Sequence, residues 1–198
     1  MKKTIYLLII IIVAAYGCSK ESELNDSIYV ADSEYPSLPK YTEWGYNTFG
    51  ANYERSTFTY TTDQIPLKIT TKNDTLALIF QGRFSNDYTD NMTLRFSFYA
   101  PEISNYKDLL SFNDRQINFM DNDVRVEMIT DDNTKFLHIL GGKFHFIRAQ
   151  TVFVDDQEEQ IVLSGTFSLK FLENEIPESI SDGRFDFGIN DDIFFVLN

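Results

Sequence analysis

Apolar and polar side chains alternate through Met92-Thr-Leu-Arg-Phe-Ser-Phe-Tyr99, and no other feature limits the fold as strongly. A period of two puts successive side chains on opposite faces of a strand, so Met92, Leu94, Phe96 and Phe98 share one face. The same alternation returns at Phe167, Leu169 and Phe171, and at Phe185, Phe187 and Ile189. Between such runs lie turn clusters: Lys72-Asn73-Asp74, Asp87 to Asn91, Asp121-Asn122-Asp123, Asp131-Asp132-Asn133 and Asp155 to Glu159. Asn and Asp suit turns because their side chains bond nearby backbone and tolerate positive φ. Many strands at short spacing predict an all-β fold, an antiparallel β-sandwich or alternatively a lipocalin-like β-barrel. One short helix is expected near residues 104–110, where "SNYKDLL" follows Pro101 and offers a cap.

The first residues stand apart from this pattern. Lys2 and Lys3 precede the apolar run Ile5 to Ala15, and Tyr16-Gly17-Cys18 follows, the order of a secretory signal peptide. A spanning helix needs about 20 apolar residues, and Gly17 and Ser19-Lys20-Glu21 stop this run short. Ala15 and Gly17 with Cys18 next resemble the lipobox of bacterial lipoproteins. The resemblance implies that residues 1–17 are removed and that the Cys18 thiol is diacylglycerylated and its amine acylated, with palmitate-type chains. Cys18 is the sole cysteine, so it forms neither an internal disulfide nor a C-x-x-C metal site. Three acyl chains exceed the two hydrophobic signals that stable anchoring requires.

Removing residues 1–17 takes away Lys2 and Lys3 but no acid, so 17 basic groups become 15 against 30 acidic ones, a formal charge of −15. Duplex binding rests on Lys and Arg neutralising phosphates, and here Lys68, Arg83, Arg95 and Arg148 are scattered singly, which argues against nucleic acid. Anionic headgroups would also repel an acidic body, leaving the lipid as its hold on the membrane. From Cys18 to Lys40 the chain reads as an acylated end and flexible tether, polar and with Pro36 and Pro39. Residues 41–198 are then one β domain, long enough for a single core.

The stretches "NTFGANYERSTF", "LHILGGKFHFIRAQTVFV", "QIVLSGTFSLKFL" and "SDGRFDF" resemble uncharacterised β-rich lipoproteins of Bacteroides-type Gram-negative bacteria. The resemblance spans roughly residues 44 to 189. It implies an envelope location and a β fold, and no known activity. Where those proteins have Asn-Gly after "TFGA", this chain has Asn52-Tyr53, so its first hairpin must turn differently. The acids after Cys18 are similar to the surface-export signal of such lipoproteins, which implies an outer-membrane anchor and a surface-exposed body.

Catalytic and metal motifs are weak. His138 and His145 lie outside H-E-x-x-H and G-x-S-x-G contexts. A straight strand would put them on opposite faces, although a bulge at Gly141-Gly142 could reverse that. Thirty acids supply many carboxylate pairs of the kind that hydrolyse glycosides, but most fall in turns, where solvation explains them. Asp155 to Glu159 is the densest acidic cluster and lacks the spacing and bend glycine of a calcium loop. No catalytic residue, metal or cofactor is expected.

The aromatic segment Tyr41 to Tyr60 leans toward binding, since rings stack on sugars and anchor protein partners. Phe49 and Phe58 are expected in the core. Trp44 and Tyr46, beside Gly45 at the domain's entrance, are the ligand-binding candidates. Asp26-Ser27-Ile28 and Asp74-Thr75-Leu76 match the Asp-Ser/Thr-apolar pattern modified on exported proteins of such bacteria, so Ser27 and Thr75 are glycosylation candidates. The expected function is a lipid-anchored, non-catalytic binding module for glycan or protein. A structural or assembly subunit of the envelope is the second reading, and a hydrolase the third.

Overall fold

The computed structural model describes residues 26–60, 64–84, 87–130, 133–154 and 157–197. Cys18 and the leader lie outside them. Among the described residues the chain forms β1 (Thr48–Tyr53), β2 (Ser56–Thr59), β3 (Leu67–Lys72), β4 (Thr75–Phe84), β5 (Asp87–Tyr99), β6 (Arg115–Asn118), β7 (Arg125–Thr130), β8 (Asn133–Phe136), β9 (His138–Val154), β10 (Gln157–Glu173), β11 (Ile176–Ile189) and β12 (Phe194–Val196). They make one sheet in the order β6-β9-β10-β11-β1-β2-β4-β5-β7-β8. β3 shares an edge of β4 with β2, and β12 pairs with β3 in parallel. The all-β, antiparallel expectation holds, with that one parallel pair. The sheet curls into a half-barrel, compatible with either a sandwich-like or a barrel-like fold.

The curl follows from the apolar faces. Phe80 of β4 lies 5.4 Å from Phe49 of β1, 5.9 Å from Phe167 of β10 and 6.3 Å from Phe144 of β9, centroid to centroid. β4 and β9 are far apart in the sheet order, so these rings meet only because the sheet folds back on itself. Met92, Leu94, Phe96 and Phe98 are all buried, as are Phe167, Leu169 and Phe171 and the Phe185, Phe187, Ile189 set. Ser168 and Lys170 face solvent. The chain itself draws the sheet's ends together: β6 borders β9, β7 borders β5, and only Phe119 to Val124 join them, a reach of at most about 25 Å. Phe119 fills the gap, 5.5 Å from Phe96 and 6.4 Å from Phe144. Among the described residues side chains, and no strand pairing, bridge the open side of the half-barrel there.

The expected helix is a 3-10 turn over Tyr106–Phe112. Asn105 accepts from the Lys107 N–H at 2.9 Å, and Asp108 accepts from the Asn105 N–H at 3.0 Å, a reciprocal cap. Its Phe112 packs on Phe98 and Phe146 at one end of the core. Among the described residues no helix is long and apolar enough to cross a membrane.

Two expectations change. Asp87 to Asn91, read as a turn, begins β5, with Asp87 opposite Phe84 and Asn91 opposite Arg83. Backbone pairing between two long strands outweighs the turn preference of the side chains. Without Asn-Gly, the β1–β2 hairpin turns differently, at Glu54-Arg55, two residues beyond Asn52-Tyr53, with Glu54 at φ +51°. Residues 26–40 of the predicted tether are held on the body: Ala31 bridges Pro39, the Ile28 N–H donates to the Tyr46 carbonyl at 2.8 Å, and Leu38 is fully buried. Pro39 packs so closely on Gly50 that a Cβ there would strike it. A segment anchored by one buried leucine and isolated bonds has no periodicity for a sequence pattern to show.

Candidate functional site

Residues 26–47 form a strap across the outer face of β10 and β11, and Trp44 sits on it. Because Phe185 and Phe187 point into the core, Asp186 between them points outward, yet it is only 1% exposed since the strap covers it. Its Oδ2 accepts from the Thr42 hydroxyl at 2.5 Å, the Trp44 N–H at 3.1 Å and the Tyr46 N–H at 3.2 Å. Its Oδ1 accepts from the Gly45 N–H at 2.9 Å. Four donors replace the water a buried carboxylate loses. Gly45 has φ +76°, and a Cβ on it would sit 3.2 Å from Val162, so the tight bend over β10 calls for glycine.

The flanks of this loop are tied down as well. The buried Asn47 accepts from the Gly188 N–H at 2.9 Å and donates to the Asp26 carbonyl at 3.1 Å. Arg148 pairs with Glu43 at 3.3 Å, and Gln150 donates to the Glu43 carbonyl at 3.3 Å. The Tyr41 hydroxyl lies 3.1 Å from Glu43 and 3.3 Å from Ser164. Burial above all pushes Tyr41 up to about 12; the hydrogen bond with Ser164 opposes it, and Glu43 and then the Asp186 charge add to it. It therefore keeps its proton and acts as a neutral donor. On this support the Trp44 indole is 73% exposed, and Tyr46 beside it is half-buried. A ring whose backbone is already fixed loses little entropy on meeting a partner.

Near the same strap, Asp32 accepts from the Tyr35 and Glu34 N–H groups and pairs with Arg184 at 2.9 Å. Those backbone donors first, and the Arg184 charge after them, hold its carboxyl below the ordinary range. A shallow cleft of about 520 Å³ opens beside Tyr41, lined in part by Lys143, Asp182 and Arg184. Arg184 is engaged with Asp32, and Asp182 with Asn52 and Ser181.

The remaining predicted residues separate. Phe49 and Phe58 are fully buried core residues. Ser27 is half-buried in the strap, and Thr75 is exposed at the β3–β4 hairpin. A bulge at Leu140 does bring the two histidines to one face, but His138 pairs with Leu172 and His145 with Thr166, six residues apart on β10 or about 20 Å. His145 instead meets Asp114 at 3.1 Å. Among the described residues no three His, Cys, Asp or Glu side chains are grouped to hold a metal; Asp155 and Asp156 lie outside those residues. Sequence reasoning missed Asp186, whose signal was a lone acid between two core phenylalanines in "GRFDF". No protein-family model, curated protein or solved structure matches the chain.

Proposed function

We propose that this chain is a lipid-anchored protein of the outer membrane, held through Cys18, whose surface-exposed β body is a non-catalytic binding module. The resemblance to Bacteroides-type lipoproteins and the lipobox at Cys18 support the address. The observation that carries the binding role is an indole exposed to water on a backbone clamped by a buried carboxylate. An exposed tryptophan on a rigid support stacks on a sugar ring with little ordering cost. Glycan is accordingly the ligand class of this reading. The anchor sets the range: eight residues from Cys18 to the strap at Asp26 reach at most about 29 Å, so the body works close to the membrane.

Trp44 is the only tryptophan of the chain, which makes its fluorescence a direct reporter. Titrating the full-length protein with soluble envelope and dietary-type polysaccharides should shift Trp44 emission to shorter wavelength in a saturable way, and Trp44→Ala should lose the affinity measured independently by calorimetry. Unchanged emission throughout the series, with no heat, removes this role. Cys18→Ser tests the address: the protein should leave the detergent phase or persist as an uncleaved precursor.

The assembly-subunit reading is supported by one observation. Among the described residues β12 pairs on one side only, and Phe195, Val196 and Leu197 beside that edge are exposed, as a partner strand would require. Light scattering of the solubilised protein that shows a single copy at high concentration would weigh against self-assembly through it.

A further inference from the structure

A second site lies on the outer face of the opposite half of the sheet. Thr75 of β4 pairs with Tyr99 of β5, Ser97 with Arg125 of β7, and Glu127 of β7 with Phe136 of β8, so side chains from four strands share one surface. With Asn122 and Asp123 from the β6–β7 connection they line an open cleft of about 460 Å³, a ligand-sized volume. Tyr99 is 52% exposed and Phe136 is 69% exposed. Phe136 stands opposite Glu127 and so opposite Arg95, four residues from Tyr99 along β5, which puts the two rings roughly 16 Å apart at their Cα atoms. No ring of the core reaches either of them among the described residues.

The polar groups between the rings have room for partners. Among the described residues, none hydrogen-bonds or ion-pairs the side chains of Ser97, Asn122, Asp123 or Arg125. Glu127 is held at 3.3 Å by Arg95 through one oxygen, leaving the other open. The charges balance in number, since Asp123 and Arg125 both line the cleft and Glu127 is matched by Arg95. A fixed anion would find one uncommitted arginine in a strongly acidic chain, and a cation too few converging carboxylates. What suits two separated ring faces with amide, hydroxyl, carboxylate and guanidinium between them is a neutral molecule with apolar C–H faces and many hydroxyls.

We propose that this cleft binds a neutral oligosaccharide, its sugar faces against Tyr99 and Phe136 and its hydroxyls on Asn122, Asp123 and Arg125. The site shares the binding-module reading but not its residue, because Trp44 belongs to the strap over β10 and β11. Affinity electrophoresis of full-length, detergent-solubilised protein tests it, in gels holding a β-glucan, an α-glucan, a xylan or a mannan, with a polyuronate as the charged control. At least one neutral polymer should retard the wild type. Tyr99→Ala and Phe136→Ala should each weaken that binding about tenfold or more, Tyr99→Phe should keep it, and Trp44→Ala should leave it unchanged. Arg125→Ala, which leaves both rings in place, should also weaken it and guards against a ring variant that fails to fold. Retardation by no neutral polymer, or by the polyuronate alone, overturns the proposal. So does binding that survives both alanine ring variants, or that Trp44→Ala alone abolishes, and in the last case the Trp44 reading stands by itself.

Discussion

The two halves of the sheet have outer faces built from the same kind of strand and treated in opposite ways. Over β10 and β11 the strap of residues 26–47 covers the face, so Gln160, Val162, Ser164 and Asp186 are buried though they point away from the core. Over the part of β4, β5, β7 and β8 that holds Tyr99, Phe136 and Arg125 no segment lies among the described residues, and these three stay open to water. On the covered side polar groups serve the fold: Asp186 organises a loop, and Asp32 and Arg184 fasten the strap. On the bare side they have no such work. Facing outward is thus a matter of strand parity, whereas exposure depends on whether another part of the chain arrives.

The largest effect should fall on what both halves share. Phe167 packs on Phe80, Phe96 and Phe144 from strands of either half, and truncating a buried Phe typically costs about 3–5 kcal/mol. Phe167→Ala should sharply lower the midpoint of chemical unfolding, and Lys170→Ala, on the outer side of the same strand, should scarcely move it. Equal losses would show that β10 is not two-faced.

Next comes the covered face. Asp186→Ala leaves three backbone N–H groups and the Thr42 hydroxyl without their acceptor, a loss of about 2–3 kcal/mol, the scale of hydrogen bonds to a charged group. Trp44 should gain mobility, read as a fall in fluorescence anisotropy. The matching change on the bare face, Asp123→Ala, should stay within about 0.5 kcal/mol. If the two acids prove equivalent, the strap does not depend on its carboxylate.

A smaller effect should follow pH. The Asp32 carboxyl is depressed on folding by the Tyr35 and Glu34 N–H groups and by Arg184. Its contribution is therefore complete above the ordinary aspartate value near about 4 and is lost as pH falls through the lower folded value. Hydrogen exchange at the Ile28 and Lys40 amides, corrected for intrinsic rates, should quicken across that window, and Asp32→Asn should remove the step. The least perturbing difference concerns glycosylation. Intact-mass and peptide analysis of native protein should find any sugar on exposed Thr75 before half-buried Ser27, and a sugar at Thr75 would stand at the wall of the Tyr99 cleft.

Local patterns along the chain were enough to read the all-β class, the inward Phe96, Phe167 and Phe187, the short helix after Pro101 and the β3–β4 turn at Asn73-Asp74. These are local properties, set by pleat and by side chains acting on their own backbone. The exposure of Trp44 was raised by its place beside Gly45, but not its clamp, because Thr42 and Asp186 are 144 positions apart. The seating of residues 26–40, the bulge that realigned His138 with His145, and the gathering of Tyr99, Arg125 and Phe136 into one cleft have the same character. Each depends on register between strands and on which segment lies over which face. A chain's own periodicity carries neither, since both are decided by how a curled sheet satisfies its backbone bonds while closing around one core.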